Sequence, residues 1–241
     1  MAKAINAKDT LGKAAAMLPW IEIDRAQIPG GGGELRLKQR GQEFSIMLGA
    51  NELMNSRLSG SEEALATLTH EKISERKKPK ILIGGLGMGF TLRSALSVFP
   101  EDAHIIVAEL VPQVVEWARG PMAEIFKGCL DDPRVEIKIG DVAAVIAATN
   151  AGLDAILLDV DNGPDGLTRA SNERLYDHAG LTATLKALRP GGVVAVWSSG
   201  PDGAFTRRLT QSGFEAQALN VRASTKRSGA RHVIWIARKR S

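Results

Sequence analysis

Downstream of residue 60 the chain alternates short uninterrupted apolar runs with longer mixed segments. Lys80-Ile81-Leu82-Ile83-Gly84, His104 to Glu109, Leu153 to Leu158 and Gly192 to Trp197 have the continuous apolar character of strands buried on both faces of a parallel sheet. Arg134 to Ile139, Phe214 to Val221 and His232 to Ala237 supply further strands. Between them, Ser61 to Ile73, Phe90 to Val98, Pro112 to Phe126, Val142 to Ala148, Ser171 to Leu188 and Ala204 to Ser212 read as helices, with Ser61 expected as an N-cap. Strands alternating with helices predict an α/β fold with a doubly wound, mainly parallel Rossmann-like sheet. The last two strands should close it as an antiparallel hairpin at one edge. Upstream the pattern differs. Trp20 to Asp24, Glu34 to Lys38 and Phe44 to Leu48 are separated by Pro29-Gly30-Gly31-Gly32-Gly33 and Arg40-Gly41-Gln42, which predicts a small antiparallel β meander. The expected division is therefore residues 1–60 as the β region and 61–241 as the Rossmann-like domain.

Composition narrows the class without choosing a function. With 44% hydrophobic and 24% charged residues, the chain of 241 has the balance of a globular protein and excludes wholesale disorder. No apolar stretch reaches the roughly 20 residues that cross a bilayer, so a cytoplasmic protein with no membrane contact is expected. A lone Cys129 cannot form an internal disulfide or a cysteine metal cluster, and a small buried hydrophobe is its expected role. The formal charge of +4 is mild. Its basic runs, at Glu71 to Lys80, Arg222 to Arg231 and Arg238-Lys239-Arg240, lack interleaved aromatics and read as solvated linkers and tails rather than a nucleic-acid footprint.

The candidate chemistry lies just beyond the strands, where open parallel sheets bind ligands. Gly84-Gly85-Leu86-Gly87-Met88-Gly89 follows the first of them, and glycines there let backbone turn sharply and approach a ligand. Glu109 ends the next strand, where an acid accepts the hydroxyl hydrogens of a ribose. Gly140-Asp141 follows the third, in reach of an exocyclic amine, and Asp159-Val160-Asp161 follows the fourth. A helix cap or turn explains any one of these acids, but four successive strand ends so furnished point to a nucleoside. Met88, Gly89 and Phe90 stand where a phosphate loop carries Lys and Ser or Thr, which disfavours ATP. A dinucleotide stays open; the compressed glycines and Asp141 favour an S-adenosyl nucleoside.

From about Glu34 to Trp197 the chain resembles the spermidine synthase family, the aminopropyltransferases, whose core is that of class I S-adenosylmethionine-dependent methyltransferases. The likeness rests on Gly84 to Gly89, Glu109 in Val107-Ala108-Glu109-Leu110, the stretch Asp132 to Asp141, and Asp159. It implies that the glycines Gly84, Gly85, Gly87 and Gly89, with Glu109 and Asp141, hold S-adenosylmethionine or its decarboxylated form. It implies Asp159 at the reacting centre, with Asp161 or Asn162 in place of the family's second acid, and Glu63 beside an amine groove. A small-molecule acceptor, an amine, is the implied partner, and the family often forms homodimers. Departures concern the reaction. Gly87 stands where the family has an Asp that grips the donor amine, Ser61 where it has Tyr, and Trp197 where it has Gln. Trp197 either lines the acceptor pocket or fills the sheet. These losses tilt the expectation toward methyl transfer, with aminopropyl transfer to a polyamine and a non-catalytic nucleoside- or nucleic-acid-binding protein as alternatives. His70, His104, His178 and His232 lack metal-ligand spacing and are expected at the surface or satisfied in packing.

Overall fold

The computed structural model describes residues 18–160, 174–223 and 230–240. The chain divides into two compact units, Met1–Arg57 and Leu58–Ser241.

In the first unit, β1 (Ile21–Gln27), β2 (Glu34–Arg40), β3 (Glu43–Leu48) and β4 (Asn51–Asn55) form an antiparallel sheet in sequence order. Leu35 and Leu37 alternate inward on β2, and Phe44 and Ile46 do so on β3. The fourth strand was not expected; its Asn and Glu residues have low strand preference, and cross-strand pairing, Ile46 with Met54 and Leu48 with Asn51, supplies what that local preference lacks. Arg40 and Arg57 lie over the Trp20 ring at 4.7 and 5.7 Å from its centroid.

The second unit holds a seven-stranded sheet. Its strands are β5 (Lys80–Gly84), β6 (His104–Glu109), β7 (Val135–Ile139), β8 (Leu153–Leu158), β9 (Leu188–Ser198), β10 (Phe214–Arg222) and β11 (Arg231–Lys239), in the spatial order β10-β11-β9-β8-β5-β6-β7. β5 to β9 run parallel, while β11 runs antiparallel to both β9 and β10. The expected terminal hairpin is present at the edge, with β11 inserted next to β9. The chain leaves β5 toward β6 and β7 and later returns on the other side through β8. The topological switch point is thus the gap between β5 and β8, where such sheets bind ligands.

Helices α1 (Gly60–Ile73), α2 (Phe90–Val98), α3 (Pro112–Arg119), α4 (Ala123–Phe126), α5 (Val142–Ala147), α6 (His178–Ala187) and α7 (Gly203–Gln211) complete the unit. Alternate strand residues, Leu82, Ile106, Ile156, Val194, Val196 and Trp235, share one core with Ile146 of α5, Leu181 of α6 and Phe205 of α7. The intervening residues face the other way, and α1 packs across β8, β9, β10 and β11. The expected helix from Pro112 to Phe126 is broken, since Gly120 and Pro121 interrupt it. The expected start of the Ser171 to Leu188 helix lies outside the described residues; Asp177 caps α6, accepting from the Gly180 N–H at 2.7 Å. The basic C-terminal run is partly structural: Lys239 Nζ donates to the carbonyls of Leu185 and Leu188 at the end of α6.

At the amino ends of the strands, Asp154 is 1% exposed and ties three segments together. Its Oδ2 accepts from the Lys80 N–H at 2.9 Å and from Arg189 at 2.7 Å, and Arg76 lies 3.4 Å from Oδ1. Asp154→Ala orphans a buried amide and two guanidinium partners. Both arginines are about a third exposed and can turn to water. The expected loss is therefore about 3 kcal/mol. In a chain of this size that is a fall in melting temperature of about 6–12 °C, measurable by calorimetry with donor binding unchanged.

Candidate active site at the carboxyl ends of the central strands

Backbone bonds draw the tips of four strands together. The Gly85 N–H donates to the Ala108 carbonyl at 2.9 Å, Gly140 to Glu109 at 2.8 Å, and Asp159 to Gly84 at 3.0 Å. The turn after β5 needs its glycines. Gly85 has φ +87°, and a Cβ there would meet the Asp159 carbonyl at 2.7 Å; Gly89 has φ +74°, and a Cβ would press into the Phe126 ring at 2.5 Å. Gly87 also lies in the left-handed region, at φ +51°.

Glu109 is buried at the tip of β6 and faces this turn. Its Oε2 accepts from the Leu86 N–H and its Oε1 from the Val111 N–H, both at 2.9 Å. Burial pushes its carboxyl above the ordinary glutamate range, with the amide bonds opposing that shift. The backbone amides of Leu110 and Gly87 also act on this carboxylate, so a hydroxyl would share its oxygens with them. Asp141 follows β7 and is exposed, and its Oδ1 caps α5 by accepting from the Ala143 N–H at 2.8 Å. Its cap role and its place beside Glu109 coexist, because Oδ2 is left as an acceptor. The tips of β5, β6 and β7 thus carry a close-approach turn, a buried carboxylate facing it and an exposed carboxylate that caps α5.

Asp159 lies at the tip of β8. Its Oδ2 accepts from Thr91 Oγ1 at 2.6 Å. Burial, reinforced by the negative charge of Glu62, pushes its carboxyl up to about 7 against the opposing Thr91 bond. Glu62 itself is raised, chiefly by burial, although the Ser61 hydroxyl donates to its Oε2 at 2.7 Å. The pair titrates as a unit. Helix α2 sets this geometry: Thr91 Oγ1 lies 3.3 Å from the Glu62 carbonyl, and Ser94 Oγ donates to the Glu63 carbonyl at 2.9 Å, fixing the first turn of α1.

Several expectations change here. Ser61 is not the N-cap; Ser59 occupies that position without a side-chain bond, and Ser61, fully buried in the first turn, bonds to Glu62 and His232 instead. The acid acting on Asp159 is Glu62, unselected from the sequence, while Glu63 adds its charge to Glu62. Asp161 and Asn162 lie outside the described residues. Trp197, near the end of β9, packs edge-on against His232, with ring centroids 4.8 Å apart and planes at 75°, and its indole N–H is buried without a partner. His232, 2.8 Å from Ser61 Oγ through Nδ1, is half-buried, and burial lowers its pKa. Thr91, Ser61 and His232 went unrecognised as site residues. One signal was available: an antiparallel strand beside β9 must begin at the ligand-binding end, which puts His232 next to Trp197.

Away from these tips, a pocket of about 410 Å³ is lined by Arg93, Phe126, Lys127, Cys129, Asp131 and Asp132, among others. Burial pushes the Cys129 thiol up to about 11, so it is inert packing, as expected. Among the described residues no group of His, Cys, Asp and Glu is arranged to hold a metal, and no helix is long and apolar enough to cross a membrane.

The model of the spermine/spermidine synthase domain matches residues 60–208, more than half of the chain. The chain belongs to this family. A polyamine aminopropyltransferase of Mycobacterium tuberculosis is 31% identical over 138 residues, which cover 56% of this chain and 25% of the relative. Putrescine N-methyltransferase 4 of Nicotiana tabacum is 39% identical over 116 residues, covering 48% and 28%. The matches thus span little more than a quarter of these relatives' lengths. The crystal structure of a spermidine synthase from Thermotoga maritima superposes with a TM-score of 0.67 over 90% of this chain and 72% of that one, at 21% identity, a likeness of fold.

Proposed function

We propose that this family member transfers an aminopropyl group from decarboxylated S-adenosylmethionine to a small primary amine. The observation that carries the reading is the Asp159–Glu62 acid pair at the switch point, next to the Glu109 and glycine-turn cradle. A sulfonium donor brings its own leaving group, so the protein must align the nucleophile at about 3–3.5 Å and take its proton. An acid poised near 7 suits that second task, and two carboxylates attract a cationic amine. Glu109 would hold the ribose, Asp141 the adenine amine, and Gly84, Gly85, Gly87 and Gly89 the close approach. Asp159 would receive the proton, Glu62 and Glu63 would supply the field that draws the amine, and Trp197 would line its pocket. Asp161 remains a proposed second acid.

The family match and the aminopropyltransferase relatives support this donor better than the methyl transfer that Gly87 suggested from the sequence. Methyl transfer from S-adenosylmethionine stands as the second reading, favoured by the missing carboxylate at Gly87 and the putrescine N-methyltransferase likeness. Incubation with putrescine and each donor in turn, followed by mass spectrometry, decides between them. The expected products are methylthioadenosine and an amine longer by an aminopropyl group. S-adenosylhomocysteine with a methylated amine would reverse the order, and no product from either donor would remove both readings.

A further inference from the structure

We propose that Ser61 and His232 form a proton exit from the reacting centre, carrying a proton from the Asp159–Glu62 pair through Ser61 Oγ to His232 Nδ1 and on to solvent. The inference rests on the transferase reading above. During transfer the acceptor nitrogen's lone pair forms the new N–C bond while the C–S bond breaks and its electron pair goes to sulfur. The nitrogen then sheds a proton to the acid pair. The acid that has taken this proton must lose it before it can serve as base again, so each turnover requires discharge.

The path is laid out in two short bonds. Ser61 Oγ donates to Glu62 Oε2 at 2.7 Å and lies 2.8 Å from His232 Nδ1. A hydroxyl both donates and accepts, so a protonated Glu62 Oε2 can give its hydrogen to Ser61 Oγ as the Ser61 hydrogen passes to Nδ1. That step leaves Ser61 donating to a Glu62 carboxylate, the direction the structure shows, and accepting from the Nδ1–H. The imidazolium then gives a proton to water. Ser61 is fully buried and shielded from water, while His232, at the start of β11, is half-buried and keeps access to solvent.

Position is fixed on each side. The Gly60 N–H donates to the Ala223 carbonyl at 3.1 Å, which anchors the start of α1 to the β10 end, and the Trp197 edge packs against the imidazole. The titratable groups that face Glu62 are Asp159 from β8, Glu63 on its own helix and, through Ser61, His232 from β11; Thr91 from α2 and Trp197 from β9 carry no charge.

The test uses the full chain with decarboxylated donor and putrescine, both saturating. Ser61→Ala and His232→Ala should each turn over about a hundredfold more slowly while methylthioadenosine affinity, read by calorimetry, stays within about twofold. Added imidazole should recover about tenfold in His232→Ala and nothing in Ser61→Ala, an asymmetry that a packing role does not produce. His232→Gln, which keeps a bond to Ser61 but cannot titrate, should be as slow as His232→Ala and guards against misfolding. Wild-type turnover in Ser61→Ala, or absence of imidazole rescue, overturns the exit while leaving the transferase reading intact. Failure of the wild type to transfer to any amine defeats both.

Discussion

Asp159→Asn abolishes turnover and yet stabilises the protein above neutral pH. The side chain has nearly the same shape, and its amide oxygen can still accept from Thr91, so the tip of β8 keeps its geometry. What disappears is the proton acceptor. Removing a general base costs about 10²–10⁴-fold, and the expected loss of kcat is about a thousandfold with donor affinity unchanged. A variant that keeps a tenth of wild-type activity would show that the proton goes elsewhere.

The stability half follows from the direction of the pKa shift. A carboxyl raised to about 7 in the folded state binds its proton more tightly there than in the unfolded chain, whose value is near 3.8. Between those values the folded state holds more protons, so stability falls as pH rises toward 7. Below about pH 3.8 wild-type Asp159 is protonated in both the folded and the unfolded state and differs little from Asn. At pH 8 it carries a charge in a partly desolvated place beside the Glu62 charge, and Asp159→Asn relieves that repulsion. The variant should melt at least about 3 °C above wild type at pH 8, the shift made by about 1 kcal/mol in a chain of this size, and the gap should nearly close as pH falls to about 3.8. A gap of the same size at both pH values would mean that packing, not charge, is responsible.

The parts of this site that lie on one strand end were readable from local pattern. Lys80–Gly84, His104–Glu109 and Leu153–Leu158 are apolar runs cut off by Gly, Glu and Asp, and the strands end at those residues because parallel strands must be apolar on both faces until they reach the ligand side. The parts built across the fold were not readable. Ser61 meets His232 at a separation of 171 residues, and nothing near either residue marks the other. Glu62 and Glu63 are adjacent acids in one first turn, and only the placement of α2, through Thr91 and Ser94, decides which of them acts on Asp159. Local composition also misled at β4, whose Asn-rich segment is a strand only because β3 offers it a register. Strand ends can be read from local pattern, while the groups brought beside them arrive from distant helices and hairpins.

Glu109→Ala gives the largest expected change in binding, and its pattern across ligands is more informative than its size. Truncation leaves the Leu86 and Val111 N–H groups, now bonded at 2.9 Å, facing an apolar gap. It also removes the acceptors proposed for two ribose hydroxyls. Hydrogen bonds to a charged group are worth about 1.5–3 kcal/mol each, so losing two weakens binding at least about a hundredfold. S-adenosylmethionine, its decarboxylated form and methylthioadenosine differ only in what sulfur carries, and all three share the ribose. Calorimetry should therefore show the same factor of loss for each. If methylthioadenosine kept its affinity while S-adenosylmethionine lost it, Glu109 would be contacting the tail, and the orientation of the nucleoside proposed here would be reversed. Glu109→Gln should not rescue, because its Nε2 hydrogens would confront one of the two amides that the carboxylate now accepts. Its expected outcome is a loss near that of Ala, separating a need for two acceptor oxygens from a need for bulk alone.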